Sequence, residues 1–133
     1  MGCCGWKRSA HRMTVAAPAP APGDSRVHGR LDRAEADLVA ATGGAPLCRI
    51  DDHRGLAAIK HAEGRVAALR EVERGVRRSA GADRLEVTRT VLGAWEAAQE
   101  RDADRGVAWS AYRDGGVEEL RALLAEPPPA GGE

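Results

Sequence analysis

Hydrophobic residues recur every three or four positions through most of residues 30–126. This spacing places them on one face of an α-helix. The apolar positions of a first segment, residues 30–42, are Leu31, Ala34, Leu38 and Ala41. Gly43 and Gly44 follow this segment and predict its end.

The longest periodic segment, residues 55–79, keeps its apolar spacing for about five turns. Gly64 and Gly75 are expected on the side opposite its apolar face. Asp83 and Glu86 then form a capping-box pattern that predicts the start of a third helix, residues 83–104. Because only a few residues connect the two long helices, we expect them to run antiparallel as a helical hairpin.

The remaining segments are shorter. Residues 107–112 and 117–125 are each predicted as a helix, with Gly115-Gly116 breaking the chain between them. Residues 46–50 alternate apolar and polar positions, but one strand without a partner is not stable, so they are predicted as an extended connector packed against the helices. The predicted fold is all-α, a hairpin with flanking shorter helices.

Proline marks both ends of this helical region. Residues 16–23 read AAPAPAPG, which disfavours a helix and is typical of extended chain. Pro127, Pro128 and Pro129 end the last helix. The predicted organisation is a disordered basic tail or linker over residues 1–29, one helical domain over 30–126, and a disordered tail over 127–133.

Composition predicts a thin hydrophobic core. Residues 31–126 contain only 20 Leu, Ile and Val, and many other apolar positions are Ala. A small core stabilises a single domain weakly, so we expect a second copy or another protein to be bound. The charge is +4 over residues 1–30, +1 over 31–82 and −5 over 83–133, which favours association between oppositely charged parts of two copies.

Residue usage also bears on origin and location. Only Lys7 and Lys60 are lysines among 20 basic residues, and Phe and Asn are absent, which is typical of a high-GC bacterial genome. Arg abundance therefore weighs less as a sign of nucleic-acid binding. There is no apolar run of about 20 residues and no secretory pattern behind the basic start, so a cytoplasmic protein is predicted. Met13 is an alternative start to Met1.

Possible metal ligands are densest over residues 48–63, where Cys48, His53 and His61 are the soft donors. Three or four ligands must converge on a zinc ion, and no Cys-x-x-Cys or closely spaced His pair occurs. His61-Ala62-Glu63 matches only half of the zinc deaminase pattern. We therefore predict no metal or other cofactor, and with no oxyanion or phosphate loop in the sequence, no enzyme.

A stripe of four arginines follows one side of the long helix. Its members are Arg70, Arg74, Arg77 and Arg78. Nearby Glu71 and Glu73 neutralise part of its charge. A solvated face, a site for an acidic protein and a nucleic-acid site are all compatible with this pattern, and the acidic end of the third helix disfavours groove binding.

Trp109 and Tyr112 are three residues apart in the last part of the domain. Aromatic residues are frequent interface anchors, but with so few large residues in the chain the pattern favours a structural role, in which this pair closes the end of the hairpin. The predicted function is a non-catalytic helical protein–protein interaction or accessory module that forms a homodimer or binds another protein. The alternative is a nucleic-acid-associated regulator that uses the arginine stripe.

Overall fold

A computed structural model describes residues 22–43, 53–79 and 81–127. These residues form four helices: α1 (Pro22–Thr42), α2 (His53–Arg78), α3 (Arg84–Arg101) and α4 (Val107–Ala125). The described part contains no strand, so the all-α prediction is confirmed for it. The predicted connector at residues 46–50 lies outside the described residues.

The α2 helix lies at the centre, and the other three helices all pack against it. The reason is its sequence, since apolar residues recur every three or four positions along α2 and form a continuous apolar face. The fully or almost fully buried side chains of α2 are Ile59, Ala62, Val66, Ala68, Leu69 and Val72. Val117, Leu120 and Leu123 of α4 complete the core with Val27 and Leu31 of α1.

α1 begins at Pro22, eight residues before the predicted start, so the prediction of a tail over residues 1–29 is wrong for its last part. Val27 explains the difference, because it is 3% exposed and belongs to the same apolar face as Leu31 and Ala34. Pro22 suits the first helical position, where its missing N–H leaves no hydrogen bond unmade. The last proline of the tract is therefore the first residue of α1.

α4 is one continuous helix, so the predicted break at Gly115-Gly116 is also wrong. Both glycines are buried against neighbouring helices. A Cβ atom on Gly115 would overlap the backbone carbonyl of His61, and one on Gly116 would overlap the ring of Trp95. The two glycines are thus contact points between helices, where only a residue without a side chain fits.

Gly64 occupies the matching position on α2. It is buried, and a Cβ there would overlap the carbonyl of Tyr112. The expectation that it lies away from the packed face is therefore wrong. Gly64 and Gly115 together let the backbones of α2 and α4 approach closely, in what we call the glycine contact.

The predicted turn between α2 and α3 carries the expected cap. Asp83 accepts a hydrogen bond from the backbone N–H of Leu85 at 3.1 Å, which stabilises the start of α3. Near this turn, Gly75 of α2 lies against Val87 of α3. Away from this turn, α4 packs against both α2 and α3, and its interface with α2 is the larger of the two.

Candidate functional site

Three aromatic side chains meet where α4 begins. The ring centroids of Trp95 on α3 and Tyr112 on α4 are 5.3 Å apart. Trp109 stands edge-on to Tyr112 at 5.9 Å. These rings line a cleft of about 430 Å³, which we call the aromatic cleft, and Lys60 and Glu71 of α2 line its other side.

Arg113 holds the aromatic cluster together. Its guanidinium carbon lies 4.9 Å from the ring centre of Trp95, 5.4 Å from that of Tyr112 and 5.9 Å from that of Trp109. A cation over aromatic faces is stabilised by the negative charge of the ring faces. The same side chain donates from Nε to Asp102 at 3.0 Å, so one residue orders the rings and connects them to a buried carboxylate.

Asp102 is only 2% exposed, although it follows the last turn of α3. It also contacts Arg105 at 3.3 Å and Arg101 at 3.9 Å. Burial works to raise the pKa of Asp102, but hydrogen bonds from Arg113 and Arg105, together with their charges, outweigh burial and lower it. The carboxylate is thus held in its charged form as an anchor for the cluster.

The polar groups of the cleft are partly engaged. The indole N–H of Trp95 donates to Glu71 Oε2 at 2.7 Å, which fixes the ring against α2. The ammonium of Lys60 donates to Glu63 at 2.7 Å. Glu71 has a second carboxylate oxygen, and the ammonium of Lys60 has two more N–H groups.

An exposed apolar surface continues from the cleft. Trp109 is 42% exposed and Val107 is 75% exposed. Val107 and Ala108 line a second hollow with Leu56 and Ala57 of α2, and Ala108 also lines the aromatic cleft. We call the surface formed by these residues, with Trp109, the α4 end surface, because it lies at the N-terminal end of α4.

The predicted aromatic pair therefore has two different positions. Tyr112 is half-buried beside Trp95, whereas Trp109 is 42% exposed. The sequence pointed to these two residues but did not connect them to Arg113, Asp102 or Trp95. Trp95 is on α3 and Tyr112 and Arg113 are on α4, so the sequence does not show that they form one cluster. The packing of α3 on α4 brings them together.

All four members of the arginine stripe are exposed, and two of them form ion pairs. Arg70 contacts Glu35 of α1 at 2.8 Å, and Arg77 contacts Glu73 at 2.8 Å. Arg74 and Arg78 are exposed, and the structure shows no ion pair for either within its described residues. The stripe thus contributes partly to the packing of α1 on α2.

The metal candidates are not brought together in the described part of the chain. His61 Nε2 lies 2.8 Å from Glu118 on α4. His53 is the first residue of α2, and Cys48 lies outside the described residues. Among the residues that the structure covers, no three His, Cys, Asp or Glu converge in a way that could hold a metal ion.

Sequence reasoning missed a second buried carboxylate, Glu119. It is 5% exposed and contacts Arg30 of α1 at 2.7 Å and Arg65 of α2 at 3.0 Å. Arg65 also binds Asp37. Burial works to lower the pKa of Arg65, but its hydrogen bonds to Asp37 and Glu119 outweigh burial and raise it. This network connects three helices and lies apart from the cleft.

None of the four helices, as far as the structure describes them, has a stretch apolar enough for its length to cross a membrane. Compared with known proteins, the chain matches no family model, no curated protein and no solved structure.

Proposed function

We propose that this protein is a non-catalytic interaction module of the cytoplasm that associates with a second copy of itself through the α4 end surface. The observation that carries the proposal is the exposure of Val107 and Trp109 beside the apolar hollow of Leu56 and Ala57. Contiguous apolar surface of this kind is typical of a protein contact. Trp is also among the residues that most often dominate binding energy.

The charges around this surface favour a second copy over a partner whose surface is uniformly acidic or uniformly basic. Glu100, Arg101, Asp104 and Arg105, in the chain segment that leads into α4, are all exposed, and Arg105 lies over the ring of Trp109. In a two-fold symmetric dimer the same surface meets itself, so it must offer both signs of charge around its apolar centre. Alternating acidic and basic residues meet this requirement, and they would repel part of a uniformly acidic or basic partner.

Light scattering after size exclusion tests the proposal with a matched pair of variants. Val107→Glu puts a charge in the α4 end surface, where an acidic residue suits the start of a helix. Val39→Glu puts the same charge on α1, at a valine that is 65% exposed. We expect a dimer for the natural sequence and for Val39→Glu, and at least a tenfold weaker dimer for Val107→Glu. A natural sequence that stays monomeric at 1 mM would overturn the proposal.

The second candidate function is nucleic-acid binding by Arg74 and Arg78, whose exposure favours it. Exchange of Arg74 and Arg78 for Gln would then weaken binding and reduce its dependence on salt, because each phosphate contact releases counterions. Fluorescence anisotropy with labelled duplex DNA and single-stranded RNA at 50 mM and 200 mM salt measures both effects. Absence of binding at the lower salt would eliminate this candidate.

A further inference from the structure

We propose that the aromatic cleft is a binding site for a small planar aromatic molecule that carries one carboxylate. The cleft measures about 430 Å³, within the range of roughly 300–1,000 Å³ in which proteins bind small molecules. Sites of this kind combine apolar walls with a few polar groups that orient the ligand. The cleft has both.

The walls suit a flat ring. Trp109 is 42% exposed, although the guanidinium of Arg105 lies 4.8 Å and that of Arg113 5.9 Å from its ring centre. Tyr112 stands across from it in an edge-on arrangement at 5.9 Å, and the small side chain of Ala108 leaves space beside both. Aromatic rings prefer offset-stacked or edge-on neighbours, so a planar ligand ring can join this pair without rearranging it.

The polar groups of the cleft are mostly donors. Lys60 has three N–H groups and is bonded to Glu63, while Arg113 has five and donates from Nε to Asp102. The described residues show no hydrogen-bond partner for the Trp109 indole N–H or the Tyr112 hydroxyl. On the acceptor side, Glu71 has one oxygen engaged by Trp95. A ligand that fits must therefore supply acceptors.

A carboxylate is the acceptor that fits best. A guanidinium and an ammonium both form strong, charge-assisted hydrogen bonds to carboxylates. A carboxylate between two basic side chains already occurs in this protein, where Glu119 contacts Arg30 and Arg65. A cationic ligand is disfavoured, because Arg113 already lies over the faces of all three rings.

Isothermal titration calorimetry on the full chain tests the site with three probes of one shape, 2-naphthoate, 2-naphthamide and 2-naphthylmethylamine. We expect the carboxylate to bind at least tenfold more tightly than the amide and the amine to show no heat of binding. Because the proposed dimer would cover Trp109, the titration is repeated on Val107→Glu, whose weaker self-association leaves the cleft open. Equal affinity for carboxylate and amide, or no binding of 2-naphthoate to Val107→Glu at 5 mM, would overturn the proposal.

A pair of variants locates the site. Lys60→Met keeps most of the length of the unbranched side chain and removes its charge, and we expect at least fivefold weaker binding of 2-naphthoate. Arg121→Met removes a charge from the exposed pair with Glu96 on another face and should leave the affinity unchanged. Indole N–H signals in NMR spectra supply a second measurement, because Trp109 must shift on binding. Equal loss in both variants, or an unshifted Trp109, would rule out this cleft.

Discussion

Asp102 and Glu119 are acidic residues inside a protein whose other charges mostly face water. Each of them contacts at least two arginines, and this compensates for the loss of hydration that burial causes. Burial without such partners would favour the neutral acid. The arginines around them therefore contribute to the packing of the helices as well as to the surface charge.

The lowered pKa of Asp102 predicts how stability depends on pH. A carboxyl group whose folded pKa lies below its unfolded value stabilises the fold above the unfolded pKa, and this contribution is lost as pH falls through the folded one. The ordinary value is 3.8, so we expect Asp102→Asn to be less stable than the natural sequence near pH 6. The difference should shrink below about pH 4, as measured by urea unfolding.

Glu100→Gln is the matched control for this experiment, because Glu100 is exposed on the same helix. Its stability should follow that of the natural sequence at every pH. A constant difference between Asp102→Asn and the natural sequence from pH 6 to pH 2.5 would contradict the assignment.

Glu119→Gln should destabilise the fold by about 2–3 kcal/mol, since it leaves two arginines facing a neutral group. This loss of stability is smaller than the loss expected on breaking a fully buried ion pair, because the side chains of Arg30 and Arg65 are 17% and 24% exposed. Glu118→Gln provides the comparison, as Glu118 is 65% exposed in its contact with His61. That exposed pair should contribute less than about 1 kcal/mol in the same denaturant measurement. Equal losses in the two variants would contradict a special role for Glu119.

These residue-scale features could not be predicted from the sequence. In the sequence Asp102 belongs to an acidic run at the end of a helix, and Glu119 directly follows another glutamate. Such patterns are typical of solvated positions. They become buried only when α4 packs on α2 and α3 and Arg30 of α1 contacts Glu119.

Among the helices, the glycine contact between α2 and α4 has the clearest consequence. Ala is usually more stable than Gly inside a helix, by about 1 kcal/mol. At Gly115 we expect the opposite, a loss of about 1–3 kcal/mol, because the added methyl group would overlap the carbonyl of His61. Thermal unfolding followed by circular dichroism measures the change.

Gly93 on α3 is the control, since a Cβ there meets nothing within 4 Å. Gly93→Ala should stabilise the protein by about 0.5–1 kcal/mol. If Gly115→Ala also stabilised it, the close approach of α2 and α4 would be contradicted.

At this scale the sequence predicted the helical segments better than their ends and contacts. The apolar spacing of α2 and the cap at Asp83 correspond to observed structure. The sequence predicts a break at Gly115-Gly116 because a glycine pair that breaks a helix and one that permits close packing look alike in a sequence. Which of the two occurs depends on the helix opposite, and therefore on tertiary structure.

For the molecule as a whole, the thin core predicts that stability depends on protein concentration. If dimerisation stabilises the folded chain, mass action raises the midpoint of thermal unfolding with concentration. A tenfold increase should raise it by about 3 °C for a chain of this size. Val107→Glu should unfold at a temperature that does not depend on concentration, and an unchanging midpoint for the natural sequence would contradict the dimer.

The contact between Arg30 and Glu126 also has a topological consequence. It joins the first helix to the end of the last at 2.6 Å, and Pro22 lies only about 12 Å further along α1. A short linker from residue 126 to residue 22 would therefore close the four helices into a ring. Circular permutation is tolerated where chain ends lie close together. The order in which the chain connects these helices is thus separable from the way they pack.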